Sequence, residues 1–192
     1  EYLRAGGTVL TLGGAPFSRM LARAGGRWEI AEIPETPPDE VRVLADFEDG
    51  LPATIDANAG GEQPFVFEVV PEGEGHVLCV SIADLTHWDY AVLPVPAGID
   101  PGFTVLSFRA RADANTAVLG IEANETDASR WKYVAPLSTE WREYRLYLPH
   151  FLSYASEGRG GEGDYLHPER LAKVAFGFTR GMVGGDEHTL WL

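Results

Sequence analysis

Short stretches of the chain alternate strictly between apolar and polar residues, and this period of two constrains the fold more than any other feature. The clearest stretch is 103–112, in which Leu106 and Phe108 share one face and Arg109 and Arg111 the other. Successive side chains of a β-strand point to opposite sides of the sheet, so a strand with one buried face needs this pattern. The stretch is therefore predicted to be a strand that buries its apolar face in a core.

Nine or ten short segments of this kind follow one another from residue 41 onward, and turn signals such as Asp49-Gly50 separate them. The predicted strands are 41–48, 64–70, 76–82, 88–95, 103–112, 116–124, 130–137, 141–148, 171–179 and 189–192. Helical patterning is confined to 17–24, predicted as one short helix, and to one turn at 168–172. Short strands at near-regular spacing are typical of an all-β sandwich or barrel.

A domain boundary is predicted at 34–40, because the run Pro-Glu-Thr-Pro-Pro-Asp-Glu is stiffened by proline and solvated by its acids. Residues 41–192 then form the sandwich domain, whereas 1–33 hold too little apolar surface to close a core. Residues 1–33 are interpreted as the C-terminal remnant of a preceding α/β domain, since the sequence has no initial Met and enters a β-rich run almost at once. On this interpretation any upstream targeting segment is missing.

The overall charge narrows the possible partners. A net charge of −14 argues against nucleic acid and against an anionic membrane surface, because both require a basic patch. No apolar stretch is long enough to span a bilayer. Cys79 is the only cysteine, so an internal disulfide is excluded, and its apolar neighbours predict a small core residue.

None of the common catalytic or nucleotide-binding motifs is present. The histidines are widely separated and lack the spacing of a zinc site. The glycine-rich run 158–163 lacks the Lys-Ser/Thr of a phosphate loop, and no Gly-x-Ser-x-Gly elbow occurs. Glycoside hydrolysis needs two carboxylates at a set separation. With 29 acids in the chain some pair will always meet this requirement, so the acid count does not indicate a glycosidase. No catalytic residue is predicted, and 152–167 is predicted to be a long mobile loop of the kind that often carries function.

Aromatic side chains are the first candidates for a binding surface, because an exposed ring offers a flat apolar platform to a ligand. Trp131 and Tyr133 share one strand face by parity. A solvent-facing pair would be a stacking platform, and packing in the core is the alternative. The same two interpretations apply to Trp88 and Tyr90.

Polar side chains opposite apolar faces are the second set of candidates, namely Arg109, Glu122, Arg145 and Tyr147. Their strands could be neighbours in one sheet, and the four side chains would then line a shallow groove. The planar, multi-donor guanidinium suits adjacent hydroxyl groups of a polar ligand. Solvated surface for Glu122 and a salt-bridged face for the arginines are the alternatives.

The order of several short motifs is similar to that of galactose-binding-like jelly-roll modules, which include carbohydrate-binding modules of bacterial glycoside hydrolases. The motifs are Ala-Asp-Phe-Glu-Asp-Gly at 45–50, Phe-Arg-Ala-Arg at 108–111, Trp-Arg-Glu-Tyr at 141–144, Leu-Pro-His-Phe at 148–151 and Val-Ala-Phe-Gly-Phe at 174–178. The resemblance extends over residues 43–192 and implies a jelly-roll β-sandwich. It also implies a structural calcium ion held by Glu48 with Asp46 behind it. Such domains usually close with an acidic pair after the last strand, so the chain is expected to be C-terminally truncated.

The start of the chain is similar to a late strand of the glutamine-amidotransferase-like α/β domains of some multidomain glycoside hydrolases. Together, the resemblances imply a non-catalytic module that binds polysaccharide or oligosaccharide and targets an attached catalytic domain in the same chain. They favour an extracellular or cell-surface bacterial location. A structural spacer sandwich, and a parent glycoside hydrolase whose catalytic domain lies elsewhere, are the alternatives.

Overall fold

The computed structural model describes residues 19–24, 27–32, 42–62, 64–97, 99–154 and 156–192, the first two ranges as backbone only. Within these ranges the chain forms thirteen β-strands, two 3-10 turns at Leu148–His150 and Pro168–Arg170, and no α-helix. The prediction of an all-β chain is confirmed. Within the same ranges no helix has the length and apolar character needed to cross a membrane.

The first two strands form an antiparallel hairpin. Strand β1 (Arg19–Ala24) pairs with β2 (Arg27–Glu32), from Arg19 opposite Glu32 to Ala24 opposite Arg27. The short helix predicted over 17–24 is therefore wrong in the part that is described. Two β-compatible runs separated by Gly25-Gly26 have the sequence of a tight hairpin, and this signal outweighs the weak helical pattern. The β-rich run 2–14 and the linker 34–40 lie outside the described residues.

The other strands build two antiparallel sheets. The five-stranded sheet has the order β10 (Arg142–Tyr147), β7 (Val105–Ala112), β13 (His188–Trp191), β5 (Gly75–Ile82) and β4 (Val66–Glu72). The six-stranded sheet has the order β11 (Leu152–Ser153), β9 (Arg130–Pro136), β8 (Val118–Glu125), β12 (Leu171–Thr179), β6 (Trp88–Pro94) and β3 (Asp56–Ala59). The chain passes repeatedly from one sheet to the other, as in a jelly-roll sandwich.

The core lies between the two sheets and is built by the alternation seen in the sequence. Phe176 and Phe178 of β12 are buried, and both contact aromatic rings from outside their own sheet. The Phe108 ring of β7 lies 5.0 Å from that of Phe176, and the Phe65 ring lies 5.6 Å from that of Phe178, both edge to face. Edge-to-face packing of this kind is a favourable arrangement of aromatic quadrupoles.

The stretch before the first sandwich strand differs from its prediction. Residues 42–48, the described part of the strand predicted over 41–48, have no strand pairing. Phe47 has a φ of 62°, in the left-handed region that interrupts an extended strand. The side chain of Glu48 instead accepts hydrogen bonds from the backbone N–H and the Nδ1 of His76, both at 3.1 Å.

One carboxylate is buried at the inner side of β6. Asp89 is 0% exposed; its Oδ2 accepts the backbone N–H of Phe65, while its Oδ1 has no hydrogen-bond partner among the described residues. Burial raises the pKa of Asp89 to about 6, because the charged form loses water that the protein only partly replaces. The protonated form therefore suits this site, and ionisation of Asp89 weakens the fold.

The raised pKa predicts a pH-dependent loss of stability. The contribution of Asp89 is fully present below its unfolded pKa of about 3.9 and is lost as pH rises through the folded value. Relative to Asp89→Asn, which can still accept the Phe65 N–H, the unmodified protein should lose on the order of 2–3 kcal/mol between pH 4 and pH 7. Urea unfolding of both proteins across this range measures the difference. Parallel stability profiles for the two proteins would contradict it.

Candidate functional site

The outward side of the six-stranded sheet, here called the open face, combines aromatic, charged and very small side chains. Cross-strand register places Asn58, Tyr90, Gly177, Gly120 and Val134 in one row from β3 to β9. The adjacent row contains Asp56, Val92, Ala175, Glu122, Lys132 and Leu152. These residues come from six strands, and the sheet alone brings them together.

The floor of the open face is formed by residues with little or no side chain. A Cβ on Gly120 would lie 2.5 Å from the Tyr90 hydroxyl, and one on Gly177 would lie 2.8 Å from Cγ of the Tyr90 ring. The Tyr90 side chain therefore lies flat across both glycines, and the residue is only 3% exposed. Its hydroxyl has no hydrogen-bond partner among the described residues. Larger residues at these positions would lift the ring off the sheet.

A charged cluster lies beside this floor. The Glu122 carboxylate is 2.7 Å from Nη2 of Arg130 and 3.7 Å from Nζ of Lys132. The Glu122 side chain is only 9% exposed, so the two cations compensate a charge that has lost most of its water. Paired donors and acceptors at fixed positions are what adjacent hydroxyl groups of a polar ligand can bind.

Two half-exposed aromatic rings lie on either side of the floor. Trp88 is 43% exposed and rests on Gly60, where a Cβ would come within 2.5 Å of the indole. Tyr154 is 44% exposed, and its ring lies 4.8 Å from the Arg130 guanidinium and 5.0 Å from Nζ of Lys132. The cations fix the position of the Tyr154 ring through cation–π attraction.

The loop that carries Tyr154 is anchored by Arg159, whose side chain is 15% exposed. Its guanidinium lies 2.6 Å from Glu125, 2.9 Å from Asp127 and 2.9 Å from Asp164. Hydrogen bonds donated by Arg159 lower the pKa of Asp164 to about 2, and acceptance of these bonds by Asp164 and Glu125 raises the pKa of Arg159. The segment predicted to be a long loop is thus tied to the end of β8.

Trp131 and Tyr133 do not form a solvent-facing platform, which corrects that expectation. Trp131 is 1% exposed in the core, and Tyr133 packs on the core with its ring 5.5 Å from that of Phe151. Core packing, the alternative considered from the sequence, is what the structure shows. Since alternate residues of β9 face opposite ways, Arg130 and Lys132 occupy the open face instead.

The four outward polar candidates do not line one groove. Glu122 belongs to the open face, whereas Arg109, Arg145 and Tyr147 lie on the outward side of the five-stranded sheet, across the core. There the Arg109 guanidinium lies 5.3 Å from the centre of the Trp141 ring. The expectation of one continuous groove failed because β8 and β10 belong to different sheets. Carbohydrate binding by these four residues stays a prediction.

The residues implied for calcium do not fit a complete site in the structure. Asp46 accepts the backbone N–H of Glu48 at 3.3 Å, and both carboxylate oxygens of Glu48 are engaged by His76. In the described part of the chain no three acids, histidines or cysteines come together as an ion site. Calcium prefers six to eight oxygen ligands, so these two residues alone are too few.

Comparison with known proteins identifies the fold. A family 11 carbohydrate-binding module of the cellulosomal cellulase Lic26A-Cel5E of Clostridium thermocellum matches with a TM-score of 0.59 and 17% identity, over 77% of this chain and 89% of that module. A family 11 module from the same organism, in complex with a β-1,3-1,4-mixed-linked tetrasaccharide, gives 0.58 and 18% over the same shares. An exo-β-agarase matches at 0.53 and 11%, over 76% of this chain and 24% of the enzyme.

At these identities the likeness establishes the architecture. The chain has the jelly-roll β-sandwich fold of carbohydrate-binding modules, as predicted. No family model matches the sequence, and none of the curated proteins matches it.

Most residues of the open face were missed by sequence reasoning. Trp88 and Tyr90 were singled out, but their sides of the sheet were left open. Arg130 and Lys132 could have been found, because they alternate with Trp131 and Tyr133, and placing that pair in the core puts both cations outside. Tyr154 follows the two-residue strand β11, and no periodicity marks it.

Substitution of the two floor glycines should separate backbone crowding from side-chain crowding. A Cβ on Gly177 would lie 2.1 Å from the Asp89 carbonyl oxygen, so Gly177→Ala should cost about 3 kcal/mol or more. A Cβ on Gly120 meets chiefly the movable end of Tyr90, so Gly120→Ala should cost about 1 kcal/mol. Chemical denaturation measures both. Equal costs, or a larger cost at Gly120, would show that the ring is not held as described.

The calcium prediction can be tested directly. An ion bound only by the native state raises stability by mass action. If the ion that the resemblance implies is bound, excess calcium raises the melting temperature, EDTA lowers it and Glu48→Gln removes the difference. Because Asp46 and Glu48 alone supply too few ligands, we expect none of these effects. Identical melting temperatures in calcium and in EDTA would rule out a structural ion at Glu48.

Proposed function

We propose that the chain is a non-catalytic carbohydrate-binding module and that glycan binds on the open face. The observation that carries the proposal is the arrangement of Trp88 and Tyr154 on either side of a floor of small residues, with Glu122 between its two cations. The match to a family 11 module in complex with a tetrasaccharide supports it by likeness of fold.

The chemistry of the face suits a sugar because a pyranose ring has two kinds of surface. Its C–H faces are apolar and stack on half-exposed rings such as Trp88 and Tyr154. Its hydroxyls donate and accept, and neighbouring pairs can bind the partly exposed Arg130 guanidinium, which the buried Glu122 carboxylate holds in place. A purely apolar ligand could use only the aromatic rings, and a purely polar ligand only the charged groups.

The expected affinity is low. Each hydrogen bond replaces one made with water and gives about 0.5–1.5 kcal/mol net, and each stacked ring adds about 1 kcal/mol by analogy with aromatic pairs. A few of each, less the cost of association, give dissociation constants of roughly micromolar to millimolar. Such affinities serve a module that keeps an attached enzyme near its substrate by raising the local concentration.

The size of the face favours a chain of sugars over a single ring. Strands β6 and β11 are four positions, about 19 Å, apart in the sheet. The register also sets Trp88 six residues along the strands from the level of Arg130, whose carbonyl accepts the Tyr154 N–H. Several linked rings are needed to reach both aromatics. Binding should therefore strengthen with oligosaccharide length until both rings are covered.

The proposed role includes an attached catalytic domain, with the chain itself as an accessory module of a glycoside hydrolase. Two comparisons support this: the cellulase module, and the exo-β-agarase, in which the matching sandwich makes up 24% of the enzyme.

Substitution of the two flanking aromatics tests the site. Trp88→Ala and Tyr154→Ala should each weaken binding to a retained polysaccharide about five-fold, the equivalent of roughly 1 kcal/mol of lost stacking. Their unfolding midpoints should change little, because half-exposed rings leave no cavity. Affinity electrophoresis across β-glucans, xylans, mannans, galactans and agarose, followed by titration calorimetry on any retained glycan, measures the effect.

Tyr147→Ala is the matched control, because Tyr147 is an aromatic on the outward side of the other sheet. It should leave affinity unchanged. Loss of binding in this variant, with full binding in the Trp88 and Tyr154 variants, would move the site to the five-stranded sheet. Retention of the unmodified protein on none of the glycans would favour the structural spacer.

A further inference from the structure

The positive charges of the open face are concentrated on neighbouring strands. Lys132 and Lys173 are the only lysines of the chain, and both point outward on this face. The register sets Lys173 of β12 opposite Asn124 of β8, and Asn124 opposite Arg130 of β9. Lys132 occupies the next outward position of β9, since alternate residues of a strand share a face. Three cations therefore lie on β12 and β9, with only β8 between these strands.

Few carboxylates oppose these cations. Among the outward residues of the six described strands of this sheet, the acids are Glu122 and Asp56. Asp56 belongs to β3, which is three positions, about 14 Å, from the strand of Glu122. The Glu122 side chain is nine-tenths buried between Arg130 and Lys132. One nearby carboxylate thus serves three cations.

Lys173 is the cation that this carboxylate does not reach. It is exposed, and within the described ranges it makes no ion pair, hydrogen bond or ring contact. Its strand lies two positions, about 10 Å, from the strand of Arg130. Like charges at this separation repel one another, and an anionic ligand between them would relieve the repulsion.

The net charge of −14 does not cancel this local excess. Charges on a surface are screened over about 8 Å at physiological ionic strength, so the nearest groups set the local potential. The acids at the end of β8 and in the turn that follows are Glu125 and Asp127, and Arg159 lies 2.6 Å from the first and 2.9 Å from the second. These two acids are already neutralised and leave the cations of the open face uncompensated.

Two of the cations adjoin an aromatic platform. Arg130 and Lys132 lie 4.8 Å and 5.0 Å from the centre of the Tyr154 ring. A sugar stacked on the exposed part of this ring carries its substituents at its own edge, next to both cations. A carboxylate or sulfate substituent accepts charge-assisted hydrogen bonds there, which are about twice as strong as those to a neutral hydroxyl.

We propose that the open face binds an anionic polysaccharide, and that Arg130, Lys132 and Lys173 recognise its carboxylate or sulfate groups. The inference rests on the proposed function, because it assigns a substrate class to the same site. The uncharged part of the face, around Trp88 and Tyr90, then contacts the sugar rings. Nucleic acid is disfavoured, because three cations with a carboxylate among them are few for a backbone with a charge at every nucleotide.

The first experiment compares anionic polysaccharides with their neutral counterparts on the unmodified protein. Polygalacturonate against its full methyl ester tests carboxylate, and carrageenan against its desulfated form tests sulfate. We expect at least one anionic member to bind about fivefold or more tightly than its counterpart in titration calorimetry. The preference should vanish in about 1 M salt, where charges are screened within about 3 Å.

The second experiment removes single charges. Lys173→Gln should weaken binding of the preferred anionic polysaccharide about fivefold and leave the neutral counterpart unaffected. Its melting temperature should not change, because Lys173 is exposed and has no partner to lose, and Lys173→Arg should keep the preference. The matched control is Arg142→Gln, which removes the same charge from an exposed position on β10 of the other sheet. It should leave both affinities unchanged.

Each other outcome counts against the inference in a recognisable way. Equal affinity for an anionic polysaccharide and its neutral counterpart, in both pairs, would overturn it and leave the proposed function standing. Equal losses in Lys173→Gln and Arg142→Gln would also overturn it, because the preference would then reflect overall charge. Tighter binding of single-stranded oligothymidylate than of any polysaccharide would assign the cations to nucleic acid. Retention of no glycan, charged or neutral, would contradict the proposed function as well.

Discussion

The period-two alternation of β12 is the constraint on which both the core and the open face depend. Val174, Phe176 and Phe178 point inward and fill the space between the sheets. The residues between them, Ala175 and Gly177, point outward, and the missing side chain of Gly177 leaves room for the Tyr90 ring. A strand in the middle of a sheet has no solvent edge, so each of its faces must fit what lies on it. Large inward and small outward residues satisfy both demands in one strand.

The strands were predictable because each is short and has one buried face. Every stretch predicted as a strand from residue 64 onward has a counterpart, and β7 turns Leu106 and Phe108 toward the core as predicted. The error at 42–48 has a physical origin: the apolar residues there alternate, but the backbone turns at Phe47 and Glu48 bonds to His76 instead of continuing a ladder. Alternation of apolar and polar residues indicates that one face is buried, but it does not show that a neighbouring strand pairs with the segment.

The open face was harder to predict because it is assembled by register between strands distant in sequence. Glu122 and Arg130 belong to one hairpin and could be paired by counting residues. Their proximity to Tyr90 depends on β12 lying between β6 and β8, which no local pattern encodes. The opposite orientations of Trp131 and Lys132 could have been predicted from the sequence, because the bulkier apolar residue in a sandwich strand belongs in the core. The position of Tyr154 depends on the ion pair of Arg159 with Glu125, a residue distant in sequence.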